Sequence, residues 1–186
     1  RYDCAIAAID RDRHCVIDEA GCIVDYSRLV LATGSHPHVP SIPGIDKPGI
    51  YTFRNMDDAQ RLIVRQSVSR RTLVLGGGLL GLEAARAMRR KDTEVIVVEH
   101  TSRLMGQQLD ARGAEQLRGH VLSLGIQVLL GSGVEEILGD SRVTGVRLRN
   151  GREVECDTLI VATGIRPNIS LALRAGLHIG RGVRVN

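Results

Sequence analysis

The sequence predicts an α/β fold with a parallel sheet and an antiparallel meander. Two observations predict it. Strand-like apolar runs alternate with helix-forming stretches from Thr72 to Leu130, a pattern typical of parallel strands joined by crossover helices. From Val134 onward the pattern changes to that of antiparallel strands. Because 43% of the 186 residues are apolar but only 2% are aromatic, aliphatic side chains must fill the core.

The first part of the chain reads as short strands. We expect a small antiparallel meander that ends in "LVLATG", with strands over 3–9, 13–17, 22–25 and 27–31. Residues 35–49 hold four of the five prolines. Neither a helix nor a central strand tolerates such a density of proline, so we predict a crossover linker there.

The middle of the chain carries the strand–helix alternation. Asn55 is a suitable N-cap, and the two acidic residues that follow it favour the first turn of a helix. Beyond this helix we predict three strands and two helices, over 72–76, 79–90, 94–99, 110–124 and 126–130. In the last part, Asn150-Gly151 between alternating segments predicts a hairpin, and 158–164 reads as a buried strand.

Three glycines make a GxGxxG motif, Gly76, Gly78 and Gly81, between a predicted strand and a predicted helix. In this context the first glycine permits the tight turn, and the second lets a pyrophosphate approach the backbone. The third lets the helix pack against the sheet. The N-terminus of the helix adds N–H donors and a positive partial charge. The motif predicts a Rossmann-type dinucleotide site; the alternative is a tight turn without a ligand.

Glu99 lies 23 residues after Gly76, at the end of the next predicted strand. A carboxylate at this place accepts hydrogen bonds from the ribose hydroxyls of the adenosine. Two like charges about 4 Å apart cost roughly 4 kcal/mol at an effective dielectric near 20, which disfavours a 2′-phosphate. We therefore expect NADH to be preferred over NADPH, although His100 and Arg103 are near enough in sequence to offset part of this charge. The alternative is a strand-end charge that only faces water.

Composition argues against several other classes of function. The net charge is +4, but the 25 basic residues are scattered among 21 acidic ones. They therefore form no basic stripe that would bind nucleic acid. The four cysteines lack the spacings of zinc sites and redox disulfides, and reduced thiols fit a cytoplasmic protein. No segment reads as a membrane span or an export signal.

Three motifs in this order resemble the FAD-dependent pyridine nucleotide-disulfide oxidoreductase superfamily. "LVLATGSHPHVPSIPG" is similar to its first ATG segment and crossover, "GGGLLGLEAA" to its NAD(P)H-binding turn, and "DTLIVATGIRPN" to its second ATG segment. The details of "GGGLLGLEAA", "RLMGQQLD" and "GIRPN" resemble the branch that holds rubredoxin-reductase-like enzymes and the large subunit of NAD(P)H-dependent nitrite reductase.

The resemblance implies an NAD domain inserted into an FAD domain. Neither the upstream FAD-binding GxGxxG nor the downstream Gly-Asp of the family is present, so we expect a fragment with partial FAD-domain flanks. We predict a partial FAD-domain segment and linker over 1–44, an NAD(P)H-binding Rossmann domain over 45–165, and the start of the return to the FAD domain over 166–186. The resemblance also implies hydride transfer from NADH to FAD and electron delivery to a redox acceptor protein or domain, with the fragment inactive by itself.

The resemblance extends to individual residues. Glu83 matches a position near the nicotinamide and the flavin, and we predict it as catalytic; a helix acid favoured by the dipole is the alternative. Arg54 resembles an arginine that approaches the flavin, and its alternative is a surface arginine. The predicted cofactor-binding residues are Gly76, Gly77, Gly78, Leu79, Leu80, Gly81, Glu99, His100, Gly164, Thr33, Gly34 and Arg54. No metal ligand is predicted.

Two other functions stay open at this point. One is a non-catalytic dinucleotide-binding module that senses or stores NAD. The other is a dithiol-disulfide reductase of the same superfamily, whose redox cysteine pair would lie upstream of this sequence. A "CxxxxC" upstream would favour the reductase, whereas the "GGGLLGLEAA" and "GIRPN" details favour the branch named above.

Overall fold

The computed structural model describes residues 2–185. Its helices are α1 (Met56–Gln66), α2 (Leu79–Met88), α3 (Ala111–Ser123) and α4 (Ser170–Arg174). Its strands are β1 (Ile6–Asp10), β2 (Cys15–Asp18), β3 (Ile23–Asp25), β4 (Ser35–Pro37), β5 (Ile50–Thr52), β6 (Arg71–Leu75), β7 (Glu94–Val98), β8 (Ile126–Leu129), β9 (Val134–Leu138), β10 (Gly145–Leu148), β11 (Glu153–Glu155), β12 (Thr158–Val161) and β13 (Ile165–Pro167). The chain divides into two compact units, residues 37–164 and residues 1–36 with 165–186. The predicted α/β class is confirmed.

A five-stranded parallel sheet organises the larger unit. Its strand order is β5-β12-β6-β7-β8, and every neighbouring pair is parallel. The chain runs from β6 through β7 to β8 on one side and returns to β12 on the other side of β6. The strand order therefore reverses between β6 and β12, and in open α/β sheets ligands bind beside the carboxyl ends of strands at such a switch point.

The two faces of this sheet bury two separate cores. On one face, Leu73, Leu75 and Leu159 pack with residues of the antiparallel sheet β9-β10-β11. On the other face, Val74 and Ile160 pack with residues of α1, α2 and α3. Because both faces are covered, the central strands are apolar along their whole length rather than alternating. This pattern explains the continuous runs "TLVL" and "TLIV" in the sequence.

Local signals set the start of α1 and the hairpin as predicted. The side chain of Asn55 accepts a hydrogen bond from the N–H of Asp58 at 2.8 Å, and the Asp58 carboxylate caps the N–H of Asn55 in return. At the hairpin between β10 and β11, Gly151 has a φ of +81°, a conformation that glycine adopts at no steric cost. The side chain of Asn150 accepts from the N–H of Arg152 at 3.1 Å.

The smaller unit corrects part of the prediction. The antiparallel meander β1-β2-β3 is present, but the predicted strand over 27–31 is not, and Val30 is 85% exposed. An isolated strand leaves its backbone groups unpaired, and among residues 2–185 no strand pairs with this segment. The linker prediction over 35–49 is wrong at its start. There β4 pairs with β13 in a two-stranded sheet, and Pro37 is tolerated because it ends an edge strand.

Candidate functional site

The turn between β6 and α2 is formed by the GxGxxG motif. Gly76 has a φ of +119°, and a Cβ at this position would lie 2.4 Å from the carbonyl oxygen of Ala162. A Cβ at Gly81 would lie 2.1 Å from the carbonyl oxygen of Gly76. Both approaches are too close for any side chain, so only glycine fits at either position. The first turn of α2 consequently packs directly on the end of the parallel sheet.

The start of α2 lies at the surface and has no side-chain cap. Gly78 is the N-cap residue, and no side chain caps the helix. No heavy atom lies within 4 Å of the position that a Cβ of Gly78 would take. Leu79 and Leu80, the first two residues of the helix, are exposed. Because the first N–H groups of a helix have no intrahelical acceptor, this end offers donors and a positive partial charge that suit a phosphate.

Glu99 follows β7 directly, and its side chain reaches back to the glycine turn. Its Oε2 accepts a hydrogen bond from the backbone N–H of Gly77 at 2.7 Å. Its Oε1 accepts from the backbone N–H and from the hydroxyl of Thr101, each at 2.8 Å. Only 7% of the residue is exposed. The acidic group at the strand end is therefore built into the turn and does not simply face water.

The environment of Glu99 keeps its carboxylate charged. Burial by itself would raise the pKa of this group, but the hydrogen bonds from Thr101 and Gly77 outweigh burial, so the pKa lies below its ordinary value of 4.5. The Nδ1 atom of His100 lies 2.9 Å from Oε1. Arg103 instead donates to the carbonyl of Gly106 at 3.0 Å. Of the two residues expected to offset the charge, His100 is the one that contacts it.

Sequence reasoning missed the residues that support Gly77. The N–H of Met105 donates to the carbonyl of Gly77 at 3.0 Å, and Met105 has a φ of +47°, which is uncommon for a residue other than glycine. Leu104 is fully buried, and its Cδ2 lies 2.6 Å from the position that a Cβ of Gly77 would take. Both polar backbone groups of Gly77 are thus bonded. In the sequence, the only sign that this segment supports Gly77 was the apolar pair Leu104-Met105.

A second turn lies at the same edge of the sheet. Leu75 pairs with Val161, so the ends of β6 and β12 are side by side. Thr163 Oγ1 donates to the carbonyl of His38 at 2.5 Å, and the N–H of His38 donates to the carbonyl of Gly164 at 2.9 Å. Gly164 has a φ of +103° and open space where a Cβ would stand. The contribution of Thr163 was not predicted.

Two further predicted residues lie on the surface of this unit. Glu83 is exposed in the second turn of α2. Arg54 is also exposed, and its backbone N–H donates to the carboxylate of Asp58 at 2.8 Å, just before α1. Their predicted roles beside the nicotinamide and the flavin stay predictions.

Thr33 and Gly34 lie in the smaller unit, where Asn168 closes their turn. Thr33 Oγ1 donates to the carbonyl of Asn168, and Asn168 Nδ2 donates to the carbonyl of Thr33, both at 2.8 Å. The N–H of Asn168 also donates to the carbonyl of Gly34 at 3.0 Å. The Nδ1 of His36 lies 2.7 Å from Asn168 Oδ1. Asn168 was not predicted as a site residue, although it ends the "GIRPN" motif.

Three other features bear on function. Among residues 2–185 no group of three or more His, Cys, Asp and Glu side chains could hold a metal ion. Within the same residues, every helix is too short or too polar to span a bilayer. Among residues 2–185 the four cysteines form no disulfide with one another. Burial, with the neighbouring Asp157, raises the pKa of Cys156 to about 12. A thiol with such a pKa stays protonated at neutral pH, and Cys156 packs in the core with only 3% of the residue exposed.

The chain is similar to several redox proteins along nearly all of its length. Nitrite reductase [NAD(P)H] of Bacillus subtilis (strain 168) is 39% identical over 181 residues, which are 97% of this chain and 22% of the relative. The crystal structure of a ferredoxin reductase from Rhodopseudomonas palustris matches with a TM-score of 0.92 and 31% identity, over 97% of this chain and 45% of that one.

A water-forming NADH oxidase from Lactobacillus brevis, solved with NADH bound, matches with a TM-score of 0.83 and 28% identity, over 95% of this chain and 40% of that one. The chain thus spans less than half the length of each of these three proteins. The sequence model of the pyridine nucleotide-disulphide oxidoreductase family matches residues 2–186. The chain therefore belongs to the pyridine nucleotide-disulphide oxidoreductase family.

Proposed function

We propose that this chain is the NADH-binding part of a flavoprotein oxidoreductase, which passes hydride from NADH to FAD and electrons on to an acceptor. The observation that carries the proposal is the Glu99 carboxylate, held 2.7 Å from the N–H of Gly77 beside the glycine turn. An ionised carboxylate bonded into a GxGxxG turn at a switch point is suited to a dinucleotide. The similarity to a nitrite reductase [NAD(P)H] and to an NADH oxidase supports it.

Each part of the nucleotide has a partner in this proposal. The pyrophosphate lies on the N–H groups of Leu79 and Leu80, over the open space beside Gly78. The adenosine ribose binds Glu99, with His100 at its exposed side. The nicotinamide approaches the turn at Gly164, where nothing stands in the place of a side chain.

The same residues favour NADH over NADPH. The Glu99 carboxylate is nearly buried and its pKa is lowered, so a 2′-phosphate beside it would meet a negative charge with little solvent screening. Of the two residues that could relieve that repulsion, Arg103 donates to the carbonyl of Gly106, and only His100 contacts the carboxylate, where it would offset part of the charge when protonated. The neutral hydroxyls of NADH instead donate hydrogen bonds to the carboxylate.

The redox chemistry belongs to the cofactors. When bound, NADH supplies the hydride and FAD accepts it. The chain contributes position: we propose that Gly164 and Glu83 lie near the nicotinamide, and that Thr33, Gly34 and Arg54 belong to the flavin side. The left-handed backbone of Gly34, with open space beside its Cα, leaves room for a cofactor at that turn.

The acceptor is a redox protein or domain. The similar proteins include a nitrite reductase and a ferredoxin reductase. We therefore propose that the flavoprotein delivers electrons as an enzyme of one of these two types does. In this proposal the complete flavoprotein is the enzyme, and the chain described here binds the nucleotide without turning it over.

A calorimetric titration of NADH and NADPH into the chain tests the proposal. We expect NADH to bind more tightly than NADPH. We expect Glu99→Ala to weaken NADH binding and to reduce the difference between the two affinities. Glu94→Ala is the matched control, because Glu94 lies at the opposite end of β7, where its carboxylate accepts from Gln127 at 2.8 Å. A folded chain that binds neither nucleotide, or a Glu99→Ala variant with unchanged affinities, would contradict the proposal.

A further inference from the structure

Thr101 makes two bonds to one carboxylate oxygen of Glu99. Its backbone N–H and its hydroxyl both donate to Oε1, each at 2.8 Å. Rotation of the carboxylate about its Cγ–Cδ bond would break both bonds. Hydrogen bonds to an ionised acceptor are about twice as strong as neutral ones. The two bonds therefore fix the direction in which the carboxylate points.

The other oxygen of Glu99 keeps an unused acceptor position. Within residues 2–185, the N–H of Gly77 is the one hydrogen-bond donor to Oε2. An ionised carboxylate has about four acceptor positions, two on each oxygen. Oε1 already receives the two bonds from Thr101 and contacts His100. The remaining acceptor position thus belongs to the oxygen beside the glycine turn.

Thr101 is itself held in place. The N–H of Gly131 donates to its carbonyl at 2.8 Å. Its hydroxyl lies within hydrogen-bond distance of a second acceptor, the carbonyl of Arg103, at 3.0 Å. A hydroxyl carries one proton and donates to one acceptor at a time, and a carboxylate is a stronger acceptor than a carbonyl. Thr101 is thus an anchored support whose hydroxyl is directed to Glu99.

We propose that Thr101 is a positioning residue that sets the preference for NADH over NADPH. Its hydroxyl holds Oε1 of Glu99, so that Oε2 is the oxygen offered to the ribose hydroxyls. Because both oxygens share the charge, a 2′-phosphate on the same ribose would be repelled in either orientation, whereas only this orientation offers the ribose hydroxyls an acceptor. This inference rests on the proposed function, because it requires a nucleotide at the glycine turn.

Titration of NADH and NADPH into Thr101→Val and Thr101→Ser tests the inference. Valine keeps the shape and the backbone N–H but removes the hydroxyl, whereas serine restores it. We expect Thr101→Val to weaken NADH binding about tenfold and to leave NADPH binding within about twofold, which narrows the preference. Thr101→Ser keeps the preference of the parent chain. Thr144→Val removes an exposed hydroxyl between β9 and β10 and should change neither affinity.

The outcomes separate the two proposals. If the parent chain prefers NADH but Thr101→Val has the same affinities, the inference about Thr101 is wrong and the proposed function stands. If the parent chain binds both nucleotides equally, the inference about Thr101 and the expected preference for NADH are wrong, but a nucleotide-binding role stands. If the parent chain is folded and binds neither nucleotide, the proposed function is wrong as well. Circular dichroism verifies folding. Should Thr101→Val unfold, Thr101→Ala replaces it, and equal NADH affinities of the alanine and serine variants would overturn the inference.

Discussion

The backbone N–H of Gly77 donates to Oε2 of Glu99 at 2.7 Å, across 22 residues of sequence. This bond joins the glycine turn that follows β6 to the residue that follows β7. Because the other oxygen is held by Thr101, the carboxylate is fixed from both sides. One side chain thereby supports the glycine turn and, in the proposed function, recognises the ribose.

The charge of Glu99 predicts how nucleotide binding depends on pH. Its pKa is lowered from 4.5 because hydrogen bonds from Thr101 and Gly77 outweigh the effect of burial. Its contribution to binding is therefore complete above the ordinary pKa and is lost only as the pH falls through the lowered value. We expect the contribution of Glu99, measured by calorimetry as the difference in NAD⁺ affinity between the parent chain and Glu99→Gln, to be nearly constant from about pH 7 to about pH 5. A difference that shrinks as the pH falls within this range would contradict a lowered pKa of Glu99.

Two glycines of the motif should respond differently to alanine. A Cβ at Gly81 would lie 2.1 Å from the carbonyl of Gly76, whereas Gly78 has no heavy atom within 4 Å of that position. We expect Gly81→Ala to lower the free energy of unfolding by more than about 1 kcal/mol, and Gly78→Ala to change it by less than about 1 kcal/mol. Thermal melts measure both. Gly78→Ala should nonetheless weaken NADH binding, because its methyl group would enter the open space that the proposed function assigns to the pyrophosphate.

Leu104 should contribute to both stability and binding. It is fully buried and packs against the glycine turn at Gly77. We expect Leu104→Ala to lower the free energy of unfolding by about 2–5 kcal/mol, because it leaves a cavity, and to weaken NADH binding by loosening the turn. Urea titration and calorimetry test the two effects. Leu122→Ala on α3 is the control. Because Leu122 is 45% exposed, its replacement should lower the free energy of unfolding far less.

Asp157 connects the beginning of β12 to the beginning of β6. Its carboxylate accepts hydrogen bonds from Ser69 Oγ at 2.8 Å, Thr158 Oγ1 at 2.6 Å and the N–H of Arg70 at 2.7 Å. Burial alone would raise the pKa of Asp157, but the bonds from Thr158 and Arg70 outweigh it, so the pKa falls from 3.8 to about 2. A depressed pKa means stability that is present above 3.8 and is lost as the pH falls toward 2.

Replacing Asp157 by asparagine tests this role. We expect Asp157→Asn to lower the free energy of unfolding at neutral pH by about 1–3 kcal/mol and to flatten its fall in acid. Urea titrations at neutral and acidic pH measure the change. Asp140→Asn, at an exposed loop position, should leave both the stability and its pH dependence as they are. An unchanged acid dependence in Asp157→Asn would show that other carboxylates dominate it.

Local patterns predicted the centre of the larger unit well. The buried strands at β6, β7 and β12 are long apolar runs, and α2 and α3 lie between them as predicted. The Asn55 cap and the Asn150-Gly151 hairpin are local as well, because their hydrogen bonds join residues close in sequence. Such features need no knowledge of the rest of the chain.

Edge elements were predicted poorly. β5 was missed because three residues next to a proline-rich segment form too short a pattern, and they become a strand only by pairing with β12. The segment over 27–31 has an apolar pattern like that of β12 but forms no strand. Strand formation depends on a partner for the backbone, and a partner is a property of the tertiary structure.

The sequence by itself determined the glycine turn, the acid at the end of the next strand and the family, because each is written in consecutive residues or in a fixed spacing. Only the tertiary structure decided what those residues contact. The bond from Gly77 to Glu99 and the support of Gly77 by Met105 join residues far apart in the chain. The bonds between Asn168 and Thr33 span 135 residues. Such contacts depend on how separate strands pair and which side chains are buried between them, and no local pattern records that.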